Sequence, residues 1–151
     1  MVLKTVIFLA VVLTALALIP YGAHLFSLPN KIAMAREQYL VAQAVYDGWA
    51  LISIILIPAM LVNIVLAVML RGEAGFGLAL AGCVCMAATL AVFFAFTYPA
   101  NVATQNWKVA PPNWAELRQQ WEYSHAANAG LIFASFCLIV LASIAALLPR
   151  R

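Results

Sequence analysis

The residues best suited to chemistry lie in the polar segment 111–125, which precedes the last apolar stretch of the chain. Asn113 is followed three residues later by Glu116, which has the form of a capping box and predicts that a helix begins near Trp114. At about 100° per residue, this helix brings five polar and aromatic side chains within an arc of about 100°. They are Trp114, Arg118, Trp121, Glu122 and His125.

This arc has two interpretations. Glu122 and His125 lie one helical turn apart, as pairs of metal ligands do in helical bundles, and an imidazole can also serve as a general base. Alternatively, the tryptophans belong to an interfacial belt, and Arg118 and Glu122 form an ordinary ion pair four residues apart. The arc alone does not decide between a site and a structural cluster.

Polar residues of other segments are expected at the same depth. The chain has two histidines, and the other one, His24, lies near the end of the first long uncharged stretch. A second arc of about 100° precedes the second apolar stretch. This second arc contains Tyr39, Gln43, Tyr46 and Asp47. Polar groups in lipid must pair with one another or with a ligand. The sequence therefore predicts a polar pocket at one membrane face, which a folded loop containing Asn101 can close.

The amino-acid composition indicates whether the protein lies in water or in a lipid bilayer. Hydrophobic residues make up 67% of the 151 residues, and charged residues only 9%, whereas a soluble domain has about a quarter of its residues charged. The net charge of +3 comes from scattered cations without a basic stripe, which argues against nucleic-acid binding. The predicted environment is the lipid bilayer.

Four stretches are long and apolar enough to cross a bilayer, which takes roughly 20 residues each. Because none alternates between apolar and polar residues as barrel strands do, each is expected to be a helix. The predicted spans are about 5–27, 47–70, 75–98 and 122–148. We therefore predict a single all-α domain, an integral membrane antiparallel four-helix bundle, with interfacial helical extensions leading into helices 2 and 4.

The orientation rests on the charges at the two faces. Lys4, Arg71, Arg150 and Arg151 belong to the face of the termini, and Lys and Arg are equally numerous at the other face, so their count does not orient the chain. Because Arg118 is expected to point into the pocket, we expect cytoplasmic termini in the inner (plasma) membrane. The pocket would then lie at the outer mouth.

One pattern of residues extends over positions 99–125. It consists of Pro99, Asn101, Trp107, Pro112, Trp114, Arg118, Trp121 and His125. This pattern resembles the signature of the anthrone-oxygenase-like family of small four-helix bacterial and fungal integral membrane proteins, most of which have no assigned function. Asn128 stands where the family pattern often has an arginine. The resemblance implies the four-helix membrane fold and an activity in which O₂ attacks an aromatic polyketide without a cofactor.

Three classes of function stay open. The first is a membrane oxidoreductase or oxygenase acting on a small lipophilic molecule, with His125 or His24 as base and Arg118 stabilising an enolate or phenolate. The second is a b-type haem or metal site with His24, His125 and Glu122 as candidate ligands. The third is a non-catalytic subunit or assembly factor that binds other membrane subunits, in which the polar cluster fixes helix register.

The candidate residues divide by role. The candidate catalytic residues are His125, His24, Arg118 and Glu122. The candidate ligand-binding residues are Trp114, Trp121, Gln43, Asp47, Tyr39 and Asn101.

Overall fold

The computed structural model describes residues 1–148, except for the side chains of residues 50, 52 and 53. All secondary-structure elements in this part of the chain are helices, and it contains no strand. The all-α prediction is therefore confirmed. Arg150 and Arg151, which the sequence analysis assigned to the face of the termini, lie outside the described residues.

The helices have the following bounds. They are α1 (Val2–Lys31), α2 (Arg36–Gln43), α3 (Ser53–Met69), α4 (Phe76–Val92), α5 (Tyr98–Ala103) and α6 (Trp114–Leu147). A π-helical turn, Phe93–Thr97, joins α4 to α5, so that 76–103 is one continuous helix. Short 3-10 turns cover Ala44–Tyr46 and Trp49–Ile52. The described residues therefore hold five continuous helices, rather than the four that the sequence predicts.

The additional helix arises where an extension was expected to lead into the second span. The chain leaves helical geometry at Asp47, with φ −58° and ψ 128°, and Gly48 follows with φ +82°. Glycine adopts this left-handed conformation without a Cβ clash. The helical extension before the second span is present as α2, but a turn at Gly48 separates it from that span. The extension into the last helix is confirmed, since α6 runs unbroken from Trp114.

The four longer units pack in a ring. The helix α1 contacts α3 and α6, and α4 also contacts α3 and α6. Polar bonds cross this interior: the Asn63 amide donates to the Thr14 hydroxyl over 2.9 Å, and the Ser135 hydroxyl donates to the Gly82 carbonyl, also over 2.9 Å. Hydrogen bonds between helices in an apolar interior fix their rotation and register.

The outer faces of the helices are apolar. Large side chains such as Phe8, Ile57 and Phe133 are more than half exposed, which is the reverse of a soluble protein surface. Three helical segments of the described chain are long and apolar enough to cross a membrane: Val2–Lys31, Phe76–Ala103 and Trp114–Leu147. The apolar part of α3, Ile54–Met69, is shorter.

Gly75 is the point of closest approach between the start of α4 and the end of α6. Its φ is +92°, and a Cβ atom placed there would lie 2.6 Å from the carbonyl oxygen of Ala142. Left-handed geometry costs a residue with a Cβ roughly 1–2 kcal/mol, and the clash adds to this cost. We expect Gly75→Ala to lower the free energy of unfolding by about 2 kcal/mol or more, measured by circular dichroism in detergent micelles.

Gly77 provides the matched control for this prediction. It lies two residues away in α4, and a Cβ atom there meets nothing within 4 Å. Since alanine has a higher helix propensity than glycine, Gly77→Ala should leave stability unchanged or raise it slightly. Equal unfolding curves for the two variants would show that the contact between Gly75 and Ala142 has no part in stability.

Candidate functional site

The site is formed where the start of α6 meets the end of α1 and the segment 39–49. Asn113 precedes α6 as predicted, but its side chain makes no capping hydrogen bond, and its φ and ψ are −94° and 25°. Two prolines at 111 and 112 and the acidic Glu116 in the first turn still mark the helix start. Trp121, Glu122 and His125 follow on α6, where they face α1 and α2.

The two histidines lie against each other. His24 of α1 and His125 of α6 are stacked, with ring centroids 4.1 Å apart and ring planes at 29°. The side chain of His24 is buried. Neither Nδ1 atom has a hydrogen-bond partner among the described residues. The sequence predicts both histidines at one membrane face, and the structure brings them into direct contact.

Aromatic rings enclose this histidine pair. The Trp121 ring lies 4.2 Å from that of His125 and meets His24 edge-on at 5.0 Å. The Tyr46 ring lies 4.3 Å from that of His24, and Trp49 adds a second edge contact to His24 at 5.8 Å. The two imidazole rings thus have a largely aromatic environment.

A cavity of about 380 Å³ opens beside the histidine pair. Six of the predicted site residues line it, which are His24, Gln43, Asp47, Asn101, Trp121 and His125. Further lining residues include Tyr21, Tyr46, Trp49, Phe93, Thr97 and Trp107. Phe93 and Thr97 belong to the π-helical turn, and such turns occur frequently at functional sites.

The remaining predicted residues lie outside the cavity lining. Glu122 accepts a hydrogen bond from the Tyr39 hydroxyl at 2.9 Å and pairs with the Lys31 ammonium at 2.9 Å. The Gln43 amide in turn donates to the Tyr39 hydroxyl. Burial raises the pKa of Tyr39, and the nearby Glu122 carboxylate raises it further, so the hydroxyl stays a donor. We call Lys31, Tyr39, Gln43 and Glu122 the ion-pair network.

This network borders the cavity, because Gln43 is one of its lining residues and the other three members lie behind the wall. The Lys31 ammonium lies 4.6 Å from the Tyr46 ring centre and 4.9 Å from that of Trp121, and both rings line the cavity. Because Glu122 and Lys31 are both buried, their mutual attraction is screened much less than that of an exposed pair. The network therefore ties α1, α2 and α6 together at the depth of the histidines.

Arg118 does not take the place that the sequence analysis gave it. Its guanidinium donates to the backbone carbonyl of Met34 at 2.7 Å and lies 4.6 Å from the Trp114 ring centre and 5.5 Å from the Tyr39 ring centre. Neither Arg118 nor Trp114 lines the cavity. The expectation that Arg118 shares a cavity with both histidines is not met, because α2 and the chain before it cover the guanidinium.

Asn101 orients a wall of the cavity. Its side-chain carbonyl accepts a hydrogen bond of 2.7 Å from the Trp121 indole. This bond holds the Trp121 ring across the two imidazoles. The sequence predicts that the loop containing Asn101 closes the pocket. In the structure, Asn101 positions the Trp121 ring.

Lys31 is the main residue that the sequence analysis missed, because it counted only as a charge of the first connection. Lys31 follows His24 by seven residues, and seven residues return to nearly the same face of a helix. An extension of α1 by one turn would have placed both residues at the site. Trp107, which the sequence singles out only through the resemblance, is the second such residue.

The histidine pair does not fit a haem or a metal ion. A bis-imidazole haem needs ring nitrogens that point at one iron from opposite sides, whereas these rings face each other at 4.1 Å. Within residues 1–148, no group of three or more His, Cys, Asp or Glu side chains has the geometry of a metal site. Glu122 is also engaged by Lys31 and Tyr39. The ligand atoms of the described residues therefore do not support a mechanism that uses a haem or a metal ion.

Comparison of the chain with protein-family models, with curated proteins and with solved structures found no match.

Proposed function

We propose that this chain is an integral membrane protein, a four-helix bundle formed by α1, α3, the helix 76–103 and α6, with cytoplasmic termini in the inner membrane. The support is the ring of apolar helices with exposed Leu, Ile and Phe side chains. The short helix α2 packs against the end of α1 and the start of α6 through the ion-pair network.

We further propose that the cavity binds a small lipophilic aromatic molecule. Its volume of about 380 Å³ lies within the range of roughly 300–1,000 Å³ for ligand sites, and mostly apolar walls with a few convergent polar groups are typical of such sites. The observation that carries the proposal is the stacked pair His24 and His125, which lines this aromatic cavity and whose Nδ1 atoms have no hydrogen-bond partner among the described residues.

The chemistry that suits this site is base-promoted oxidation by O₂. A neutral imidazole removes a proton from a methylene carbon that lies between two aromatic rings, and a ketone is conjugated with both rings. Loss of the proton leaves an enolate. The enolate carbon and O₂ form a C–O bond, and the resulting hydroperoxide loses water to give a second ketone. The substrate loses two hydrogens and gains one oxygen atom, and the other oxygen atom leaves as water. The resemblance to anthrone-oxygenase-like proteins supports this substrate class.

The test is the oxidation of anthrone by the purified protein in detergent micelles. We expect O₂ uptake and anthraquinone formation in a one-to-one ratio without any added cofactor, and one labelled oxygen in the quinone when ¹⁸O₂ is supplied. Protein-free micelles give the spontaneous rate. A rate with protein that equals this spontaneous rate would contradict the oxygenase proposal.

A structural role is the second candidate, and the ion-pair network favours it for part of the polar cluster. Lys31 and Tyr39 both contact one carboxylate oxygen of Glu122, so that three helices meet at this residue, which is sufficient to fix helix register without chemistry. The network does not account for the cavity or for the unpartnered imidazoles beside it. We therefore assign the network to the scaffold and the cavity to ligand binding.

A further inference from the structure

Trp107 is a lining residue of the cavity, and its side chain carries a buried donor without a partner. It lies in the loop between α5 and α6, its side chain lines the cavity, and the residue is only 5% exposed. Its indole Nε1 has no acceptor among the described residues. A buried donor left unpaired costs roughly 1–3 kcal/mol, so such groups in folded proteins normally have a partner.

The neighbouring Trp121 shows that this wall can satisfy an indole. Its Nε1 donates to Asn101 at 2.7 Å, and the two tryptophan rings are 6.0 Å apart. Trp107 is packed as firmly, with its ring edge-on to Tyr39 at 4.9 Å. The ring of Trp107 is thus fixed by packing, while its N–H group has no acceptor among the described residues.

The backbone that carries Trp107 is strained. Gln105, Asn106 and Trp107 have φ values of 51°, 56° and 62°, and each left-handed residue with a Cβ costs roughly 1–2 kcal/mol. The Thr104 hydroxyl accepts a bond from the Trp107 amide at 3.1 Å, and the Asn101 carbonyl accepts one from the Asn106 amide at 2.7 Å. Strain of this kind persists where surrounding contacts enforce it, and it concentrates at ligand sites.

We propose that the Trp107 indole donates a hydrogen bond to an acceptor oxygen of the bound ligand, either its carbonyl or the enolate oxygen formed from it. This is the role that the sequence analysis gave to Arg118, whose guanidinium lies outside the cavity. The inference rests on the ligand-binding cavity of the proposed function and makes Trp107 a determinant of specificity for oxygen-bearing ligands.

The test compares two ligands of the same ring skeleton, anthraquinone with its carbonyl oxygens and anthracene without them. Trp107 is replaced by 3-benzothienylalanine, which keeps the bicyclic ring and has sulfur in place of N–H. We expect the Kd of anthraquinone, measured by titration calorimetry in micelles, to rise about tenfold, as the loss of one buried hydrogen bond predicts. The Kd of anthracene should stay the same.

A spectroscopic readout separates the hydrogen bond from packing. The carbonyl stretching band of bound anthraquinone should move to higher frequency in the benzothienyl variant, because a hydrogen bond weakens the C=O bond. Trp107→Phe, which also lacks the donor, should give the same shift. An unchanged band, or equal losses of affinity for both ligands, would overturn the proposal for Trp107.

The outcomes for the two proposals are distinguishable. Binding of anthraquinone with the expected dependence on Trp107, but without oxidation of anthrone, supports the role of Trp107 and contradicts only the oxygenase step. Oxidation of anthrone that is independent of the Trp107 N–H group contradicts only the role of Trp107. Wild-type protein that binds neither ligand would overturn both.

Discussion

Replacement of Glu122 by glutamine should destabilise the protein more than any other single charge removal at the site. Glu122 is fully buried and is the partner of the Lys31 ammonium at 2.9 Å. Glutamine keeps the shape and an acceptor for Tyr39, but it leaves the buried ammonium without a counter-charge. Breaking a buried ion pair in this way costs about 3–5 kcal/mol. The loss is measured by unfolding in detergent mixtures or by the fraction that stays monodisperse on heating.

Two comparisons show whether the cost belongs to the ion pair. Glu116→Gln makes the same change in the first turn of α6, where the side chain is exposed, and should change stability by no more than about 0.5 kcal/mol. Adding Lys31→Met to Glu122→Gln removes both charges and should recover most of the loss. If Glu122→Gln is as stable as Glu116→Gln, the pair does not hold the bundle together.

Replacement of His125 should abolish most of the oxidation of anthrone. A positioned general base contributes roughly 10²–10⁴-fold to a rate, and the His125 ring is in contact with both His24 and Trp121 beside the cavity. We expect His125→Gln to lower kcat/KM by about 10²-fold or more, measured by O₂ uptake after subtraction of the spontaneous rate. Thermal unfolding of the same preparation reports whether the fold is retained.

Chemical rescue distinguishes a base from a packing residue. His125→Ala leaves a space of imidazole shape next to the cavity, and added imidazole should restore part of the lost rate. Tyr123→Phe serves as the control on the same helix, since Tyr123 is 57% exposed and outside the cavity lining, and its rate should equal that of the wild type. A His125→Ala variant with wild-type turnover would exclude His125 as the base.

Local sequence signals were sufficient for the three longest apolar helices and for one side of the site. The prolines at 111 and 112 and the spacing along α6 locate its start at Trp114 and place Trp121, Glu122 and His125 on one face. The meeting of His24 with His125 follows from the pairing of two long apolar helices. These features depend on periodicity and length, which can be read from a single sequence.

Other features depend on tertiary packing, which periodicity does not report. Arg118 shares its arc with His125 but lies about two turns further out, where the chain around Met34 covers it. The break at Gly48 separates α2 from the second span, although no residue there resembles a strong helix stop apart from the glycine itself. The orientation of Trp107 results from three consecutive left-handed residues, of which only Asn106 is of a type that favours this geometry.

The unbroken length of α6 sets the depth of the histidine pair. A helix of 34 residues is about 50 Å long, whereas the hydrocarbon layer of a bilayer is about 30 Å thick, so in the proposed orientation the first turns of α6 extend beyond the lipid tails. His125, roughly 16 Å from the start of the helix, then lies close to the boundary between tails and headgroups. In the proposed reaction, substrate and O₂ dissolved in the lipid would reach the cavity from the side of the tails, and the water produced would leave towards the headgroups.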